Sequence, residues 1–292
     1  MPYFSVVIPT YNASKNIRKT LNSVIEQSFK DYEIIIVDDA SSDLDELNLI
    51  LNDYKNTGCD IKLYSFDKNK NGAAARNKGI NESTGQYIAF LDSDDTWELN
   101  KLEFFYSYIK ERNNPLEIYY SRINLYIDGV LRDGLHPIEC KKNKDSMAKY
   151  LFGLGGIIQT SSIVVSREIA LEIQFNESYK RHQDYDFCIR ASFNGFQFKM
   201  VETALTNYFA SRKTHKSKES ANYSKYWIED MKKYLRDNDD AYFKTFVLPY
   251  KHLDDGNFIK AILCFISNFH HCDGGVIFSN IMNKFKTRLK RK

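Results

Sequence analysis

The sequence predicts an α/β fold built on a mostly parallel sheet, on three observations. Short apolar runs alternate with helical patterns through the first ninety residues. Two of the runs, Glu33–Val37 and Tyr87–Leu91, are almost wholly apolar, as expected for strands buried on both faces. Both of these runs end in a cluster of acidic residues. The order β-α-β-α-β-α-β predicts parallel strands joined by right-handed crossovers.

Composition, net charge and cysteine content limit which class of protein this chain can be. The chain has 292 residues, of which 43% are hydrophobic and 14% aromatic, which is typical of a globular protein with a sizeable core. A net charge of +3 is too small to indicate a nucleic-acid partner. The five cysteines are odd in number and scattered, which favours a reducing compartment. Because no apolar run approaches the roughly 18 residues of a membrane span and the start lacks a signal-peptide pattern, we expect a cytoplasmic protein.

The first half is interpreted in chain order. Phe4–Ile8 reads as a buried strand closed by Pro9, and the helix after it places apolar residues from Ile17 to Phe29 on one face. A helix over about Leu44–Tyr54 and a strand near Ile61–Phe66 continue the alternation. An alanine-rich turn and helix then lead into Tyr87–Leu91.

The strand ends predict a ligand site. Parallel strands 1, 2 and 4 would end along one rim, which brings together Tyr11, Asp39 and the run Asp92-Ser93-Asp94-Asp95. Carboxylate oxygens suit magnesium or manganese. A solvated acidic turn, with Asp94 or Asp95 capping the next helix, is the alternative interpretation.

These residues together fit a nucleoside diphosphate. Asp39 and the turn Pro9-Thr10-Tyr11 would supply an acceptor and an apolar surface for a base, while Arg76 or Lys78 would help a cation neutralise the phosphates. Helix capping by Asp39 and a surface salt bridge at Arg76 are the alternatives. The chain has neither G-x-G-x-x-G after the first strand nor G-x-x-x-x-G-K-[ST], so a dinucleotide dehydrogenase and a P-loop NTPase are disfavoured.

Three stretches carry a resemblance to a known family. They are VVIPTYNASKNIRKTLNSVIEQSFKDYEIIIVDDASSD, NGAAARNKGI and GQYIAFLDSDDTW. They resemble the family 2 glycosyltransferases with the GT-A fold, a Rossmann-like mostly parallel sheet with flanking helices. The resemblance implies a cytosolic enzyme that transfers a sugar from a nucleotide diphosphate donor, usually with inversion.

The resemblance also implies residue roles. Pro9, Tyr11 and Asp39 would contact the base and ribose of the donor. Asp92-Ser93-Asp94 is similar to the D-x-D motif, with Asp94 or Asp95 on Mn²⁺ or Mg²⁺ and Asp92 or Asp94 near the ribose.

The second half is less specific. We expect a helix over Asn100–Arg112, a strand over Ile118–Ile127 with an Asp128-Gly129 turn, and a flexible glycine segment at 153–156 before a strand over Ser162–Val165. The polar run 159–161 would line an acceptor pocket or form a plain loop.

The run Arg181–Phe187 resembles the E-D motif, whose aspartate is the catalytic base. By that similarity Asp184 is the base, although Gln183 stands where glutamate is more usual. A carboxylate that takes a proton from the attacking hydroxyl is general-base catalysis. Asp186 is a rival base, and helix capping is the alternative role for Asp184.

The rest of the chain is basic and helical. Arg212 and His215 lie in a polar segment that resembles the loop over the donor phosphates, so they are candidate diphosphate or metal contacts, with a solvated loop as the equal alternative. We expect helices over Tyr223–Leu235, Asp240–Leu248, Phe258–Phe269 and Val276–Leu289. The last carries a basic end, which suits peripheral contact with an anionic membrane or, alternatively, a helix docked on its own domain.

We therefore expect a GT-A domain over 1–220, with a nucleotide-binding half at about 1–115 and an acceptor half at about 116–220, and a helical region over 221–292. The resemblance favours a metal-dependent inverting enzyme moving a hexose from UDP-glucose or UDP-galactose to a polyprenyl-diphosphate-linked glycan in O-antigen or capsule synthesis. A non-catalytic nucleotide-sugar-binding partner and a sugar nucleotidyltransferase are the alternatives.

Overall fold

The computed structural model describes residues 1–55, 57–132, 134, 136–211, 220–278 and 280. Its strands are β1 Phe4–Thr10, β2 Tyr32–Asp38, β3 Asp60–Ser65, β4 Tyr87–Phe90, β5 Thr96–Trp97, β6 Glu117–Ile127, β7 Val130–Leu131, β8 Ile163–Ser166 and β9 Gln197–Ala210. Its α-helices are α1 Ile17–Ile25, α2 Leu44–Asn52, α3 Gly72–Glu82, α4 Lys101–Arg112, α5 Arg167–Ile173, α6 Gln183–Phe193, α7 Ser220–Met231, α8 Asp239–Phe246, α9 Leu248–Asp254 and α10 Phe258–Asn268.

The strands form one sheet in the order β3-β2-β1-β4-β8-β6-β9-β5, with β7 paired to β6. Strands β1 to β4 are parallel, as predicted from the β-α alternation. The second half is mixed, because β8 runs antiparallel to both β4 and β6, and β5 runs antiparallel to β9. The sheet is therefore less parallel than expected, since the regular alternation of strands and crossover helices stops after α4.

Two glycines let α3 and the turn after it lie directly against β1. A Cβ on Gly79 would lie 2.3 Å from a methyl carbon of Val7. A Cβ on Gly85 would lie 2.7 Å from backbone atoms of Phe4 and Ser5. These contacts fix α3 on the sheet, and α3 carries a residue of the candidate site.

The helical segment after residue 220 packs into the main core. Trp227 and Phe243 are fully buried in the same hydrophobic cluster as Phe187 of the sheet-flanking helix α6. Three of the four helices predicted for this segment are thus present as α7, α8 and α10, with α9 as an additional helix. The fourth, predicted over Val276–Leu289, lies largely outside the described residues. The domain boundary at 220 stays a prediction.

The glycine segment at 153–156, which we expected to be flexible, is closely packed. Residues 149–153 form a π-helical turn, and a Cβ on Gly156 would lie 2.5 Å from the Tyr150 ring. Gly153 is buried, and the Asn280 side-chain amide donates a hydrogen bond to its carbonyl. Gly153 and Gly156 serve close packing, whereas Gly155 is exposed and has a left-handed φ of 73°. The sequence pattern does not distinguish these two uses of glycine.

In the described ranges, no helix is both long and apolar enough to cross a membrane. The basic end of the chain, residues 281–292, lies outside the described residues.

We expect Gly85→Ala to lower the free energy of unfolding by about 1–3 kcal/mol, because the new methyl group would meet backbone that cannot move aside. Thermal or urea denaturation measures this. Gly274→Ala is the control, since a Cβ there meets nothing within 4 Å. Equal stability of the two variants would contradict the close approach of the turn to β1.

Candidate active site

A cleft of about 710 Å³ opens beside the carboxyl end of β4, where the loop after this strand faces the start of α6. Its walls come from α1, α3, the loop after β4, the segment before β8, the start of α6 and the end of β9. The charged side chains that line it are Lys19, Arg76, Asp92, Asp94, Asp128, Lys180, Arg181 and Asp184. Of the predicted site residues, the cleft brings together Arg76, Asp92, Asp94 and Asp184.

Arg76 joins the two sides of the cleft. It lies on α3, whose first turn is capped by the Asn71 side chain accepting from the N–H groups of Ala73 and Ala74. One end of its guanidinium, Nη2, is ion-paired with Asp92, and Nη1 donates to the Gln183 side-chain oxygen at 2.9 Å. Arg76 is only 9% exposed, so a largely buried positive charge holds both Asp92 and Gln183 in place. The surface salt bridge considered for Arg76 is instead found at Lys78, which pairs with Glu82.

The loop after β4 presents to the cleft one carboxylate, that of Asp94, to which no described side chain hydrogen-bonds. Asp92 is held by Arg76 and accepts from the Gln159 amide at 3.2 Å. Asp94 is exposed, and no side chain in the described ranges hydrogen-bonds to it. The surrounding protein raises the pKa of Asp94, and the nearby Asp92 carboxylate raises it further. A bound cation would lower it again.

Asp95 points into the protein. Its carboxylate is fully buried and accepts hydrogen bonds from the Phe209 N–H at 3.0 Å, the Ser161 hydroxyl at 2.6 Å and the Gln159 amide at 3.0 Å. Burial raises the pKa of Asp95 well above its usual range, with the Asp92 charge as the second cause. With both oxygens occupied, Asp95 acts in this structure as a support for the loop.

A buried lysine completes the layer beneath this loop. Lys101 is fully buried at the start of α4, and its Nζ donates to the Ser161 carbonyl and to the Thr206 hydroxyl, each at 2.7 Å. The Trp97 indole N–H donates to the same carbonyl at 2.9 Å. Burial lowers the pKa of Lys101 well below its ordinary value, while Asp95 acts in the opposite direction. The hydrogen bonds from Lys101 and Trp97 hold the Ser161 carbonyl in place, and the Ser161 hydroxyl in turn holds the Asp95 carboxylate.

Two carboxylates at the start of α6 have different environments. Asp184 lines the cleft, and its pKa is raised to about 6, first by burial, with opposing contributions from the Tyr185 N–H and from Arg76. Asp186 is fully buried and accepts two hydrogen bonds from the Arg190 guanidinium, at 2.8 and 2.6 Å. Because this pair occupies both of its oxygens, the rival base Asp186 serves structure, and Asp184 is the carboxylate that reaches the cleft.

His182 fastens the start of α6 to the C-terminal helices. Its Nε2 lies 2.9 Å from the Ser224 hydroxyl, and its ring centroid lies 4.8 Å from that of Trp227. Burial lowers the pKa of His182 to about 3, so the ring is neutral at physiological pH. Its backbone adopts the left-handed conformation, with φ of 60°. This anchoring sets where Asp184 enters the cleft.

The residues predicted to contact the base lie outside the walls of this cleft. Asp39 is buried, and its carboxylate accepts from the N–H groups of Lys70 and Asn71 at 2.6 and 2.8 Å. Tyr11 is 56% exposed, and Pro9 is half-buried in β1. Their base-binding roles stay a prediction, as does the donor contact at Ser93, whose backbone carbonyl accepts from the Thr20 hydroxyl. Arg212 and His215 lie outside the described residues.

Sequence reasoning missed the supports of the site. Lys101 follows a strand end by a few residues and looks like any helix-starting surface lysine, so nothing in the pattern marks it. Gln159 and Ser161 were recognised only as a polar run and assigned to an acceptor pocket or a loop. Tyr208, whose pKa is raised by burial and by Asp95, lines the cleft from the end of β9. Among these supports, the sequence could have indicated only Gln159 and Ser161, because they form a polar run directly before a buried strand.

The fold and the cleft define the class. The chain has the GT-A glycosyltransferase fold, as predicted. Two solved structures share it: Staphylococcus aureus TarS 1–349 in complex with UDP-GlcNAc, with a TM-score of 0.61 and 20% identity over 90% of this chain and 73% of that one; and the mannosyltransferase PcManGT from Pyrobaculum calidifontis in complex with GDP-Man and Mn²⁺, with a TM-score of 0.62 and 13% identity over 97% and 79%.

Sequence comparison gives the family. The model of glycosyl transferase family 2 matches residues 5–173. The chain is 41% identical, over 99% of its length and 98% of the relative, to the amylovoran biosynthesis glycosyltransferase AmsB of Erwinia amylovora. A shorter match, 36% identical over 37% of the chain and 42% of the relative, is to an Escherichia coli protein, the UDP-Glc:alpha-D-GlcNAc-diphosphoundecaprenol beta-1,3-glucosyltransferase WfgD. The chain belongs to glycosyltransferase family 2 and is a glycosyltransferase.

The two neighbouring aspartates predict opposite phenotypes. Asp95→Asn should lower the free energy of unfolding by about 1–3 kcal/mol, because an amide NH₂ would face a hydrogen-bond donor. Asp94→Asn should not lower stability, because its carboxylate is exposed and its charge is opposed by Asp92, and it should remove metal-dependent nucleotide binding. Denaturation curves and nucleotide titrations with and without Mn²⁺ measure both effects. A destabilised Asp94→Asn beside a stable Asp95→Asn would reverse the assignment.

Proposed function

We propose that this glycosyltransferase moves a hexose, with inversion, from UDP-glucose or UDP-galactose to a polyprenyl-diphosphate-linked glycan during surface polysaccharide synthesis, with Asp184 as the general base. The observation that carries the proposal is the Arg76 bridge, which holds the D-x-D loop and the start of α6 on opposite sides of one cleft. A donor diphosphate on the loop side would then present its sugar toward Asp184.

The reaction is a single displacement. The acceptor hydroxyl oxygen attacks the anomeric carbon, the new glycosidic C–O bond forms, and the bond from that carbon to the diphosphate oxygen breaks. The hydroxyl proton passes to Asp184, and the nucleoside diphosphate leaves with the bonding electron pair. Because Asp184 has a pKa of about 6, it is mostly ionised near neutral pH and still basic enough to accept the proton as it is released.

The residues present fit a divalent cation held jointly with the donor. Asp94 offers an exposed carboxylate, and magnesium in particular is commonly bound by one or two carboxylates plus substrate phosphates. No set of three or more His, Cys, Asp or Glu side chains in the described ranges forms a metal site by itself, which agrees with shared coordination. When bound, Mn²⁺ or Mg²⁺ would neutralise charge on the departing diphosphate. Lys19 and Lys180 line the same cleft and would add positive charge.

The relatives support the donor and acceptor classes. WfgD is named for UDP-Glc as donor and a diphosphoundecaprenol-linked sugar as acceptor, and AmsB for amylovoran biosynthesis. We infer the same chemistry here: a UDP-hexose and a lipid-linked glycan, in the synthesis of a polysaccharide such as an O-antigen or capsule. With an acceptor of this kind the enzyme would work in the cytoplasm, in peripheral contact with the inner face of the cell membrane.

Replacing the base tests the mechanism. We expect Asp184→Asn to lower kcat by about 10²- to 10⁴-fold, because the amide cannot accept the hydroxyl proton. Release of UDP in the presence of acceptor measures kcat. Asp186→Asn is not a matched control because it breaks a buried ion pair, so Asp237→Asn, at an exposed aspartate away from the cleft lining, serves instead. Full activity of Asp184→Asn would remove Asp184 from the base role.

The raised pKa of Asp184 also predicts pH dependence with a known sign. Activity should rise with pH through about 6 as the carboxylate ionises. Ionised Asp184 costs folding free energy, a cost absent below its ordinary pKa of 3.8 and complete above about 6. Asp184→Asn should therefore melt at a higher temperature than the native protein above pH 6, with the gap closing toward pH 4. Melting curves across this range measure it without any substrate.

A nucleotide panel tests the donor. UDP with Mn²⁺ should raise the melting temperature, because a ligand that binds the folded state stabilises it by mass action. GDP and dTDP with Mn²⁺, and UDP without metal, are the comparisons. Stabilisation by GDP or dTDP instead of UDP would show that the donor carries guanine or thymine instead of uracil. No shift with any of them would overturn the proposed donor site.

A further inference from the structure

The helix α10 is unusual among the described helices because its large apolar side chains face solvent. Of its eleven residues only Ala261 is buried. Ile259, Leu263 and Ile266 are 73%, 57% and 55% exposed, and they lie three and four positions apart, which forms one outward stripe. A second stripe lies beside it and contains Phe258, Ile262, Phe265 and Phe269, each 38% to 64% exposed.

An apolar groove continues this surface. It has a volume of about 300 Å³ and lies between α10 and the neighbouring helices α8 and α9. The apolar side chains that line it are those of Phe246, Pro249, Leu253, Phe258, Ile262 and Phe265. Phe278, 67% exposed, lies ten residues beyond the end of α10. Exposed apolar patches of this kind mark interaction surfaces.

The sequence beyond the patch is strongly basic, and this charge indicates the partner. Lys260 is the only charged residue in α10, and residues 274–292 contain six Lys and Arg residues and no Asp or Glu. These basic residues follow in sequence on Ile277 and Asn280, which line the groove, and an apolar surface in a strongly basic part of the chain complements a bilayer whose surface is anionic. The same basic composition disfavours a second copy of this chain as the occupant, because like charges repel.

The dimensions of the helix fit a bilayer surface. Eleven helical residues span roughly 16 Å, about half of the hydrocarbon thickness, so α10 can lie in the membrane plane but cannot cross it. Apolar exposure on two adjacent stripes allows such a helix to sink into the boundary between headgroups and acyl chains.

We propose that α10 and the groove beside it form the membrane-docking surface of this enzyme, with an anionic phospholipid bilayer as the occupant. The proposal deepens the proposed function, because a lipid-linked acceptor makes a membrane-bound position useful. The surface is also linked to the site: α10 packs on α8, whose Phe243 contacts both Trp227 and the His182 ring beside α6.

Vesicle flotation of the full-length protein tests this, with phosphatidylcholine vesicles that contain or lack phosphatidylglycerol. The native protein should float with the phosphatidylglycerol vesicles at low salt, and the bound fraction should fall with added salt. Leu263→Glu/Ile266→Glu should weaken binding by at least about tenfold, because two anchoring side chains are lost. Both positions are exposed, so the variant should melt like the native protein.

The matched control is Leu49→Glu/Leu116→Glu, which places the same charges on two other exposed leucines, 67% and 52% exposed. It should bind vesicles like the native protein. Equal loss in both variants, or no flotation of the native protein, would overturn the proposal. A native dimer that becomes monomeric in Leu263→Glu/Ile266→Glu, measured by sedimentation without vesicles, would assign the surface to a second copy.

The failure of this proposal can be told apart from failure of the proposed function. Flotation uses no nucleotide or acceptor, and UDP-induced stabilisation uses no membrane. A protein that binds UDP but not vesicles keeps the glycosyl-transfer mechanism and loses the docking surface. A protein that floats but binds no nucleotide gives the reverse result.

Discussion

The buried guanidinium of Arg76 is the interaction on which the candidate site depends. A charge removed from water must be paired, and here its two ends pair with groups from different parts of the chain, Asp92 after β4 and Gln183 at the start of α6. The position of Arg76 depends in turn on the close contact of α3 with β1, made possible by Gly79. Core packing in this way influences the distance between the loop after β4 and the start of α6, the two sides of the cleft.

Beneath the cleft lies a second polar layer that faces the protein interior. Lys101, Ser161 and Asp95 form a chain of hydrogen bonds in which each member is fully buried. Burial opposes ionisation of both end groups, so the hydrogen bonds between them are what make their presence tolerable. This buried layer supports the loop after β4, which presents Asp94 to the cleft.

The sequence allowed the first half of the fold and the centre of the site to be predicted. Changes in the spacing of apolar residues and acidic residues at strand ends are local signals, and they located β1 to β4, Asp92 and Asp94. The family resemblance located Asp184. The mixed half of the sheet was not predictable in the same way, because the order of β8, β6 and β9 is set by contacts distant in sequence. For the same reason Asp94 and Asp95 could not be separated: adjacent residues look alike, and only the partners Ser161, Gln159 and Phe209 show which one is buried.

The choice of an amide at position 183 has a consequence for the acid range. Gln183 accepts from Arg76 and donates to the Tyr179 carbonyl at 2.6 Å, and a side-chain amide neither gains nor loses a proton between pH 4 and 8. A glutamate in this place would become protonated in mildly acidic solution and would loosen its hold on the guanidinium. With glutamine, acidification would protonate Asp184 but leave the hydrogen bond between Arg76 and Gln183 in place. The link between α3 and α6 would then persist, and a return to neutral pH would ionise Asp184 again without any rearrangement of the cleft.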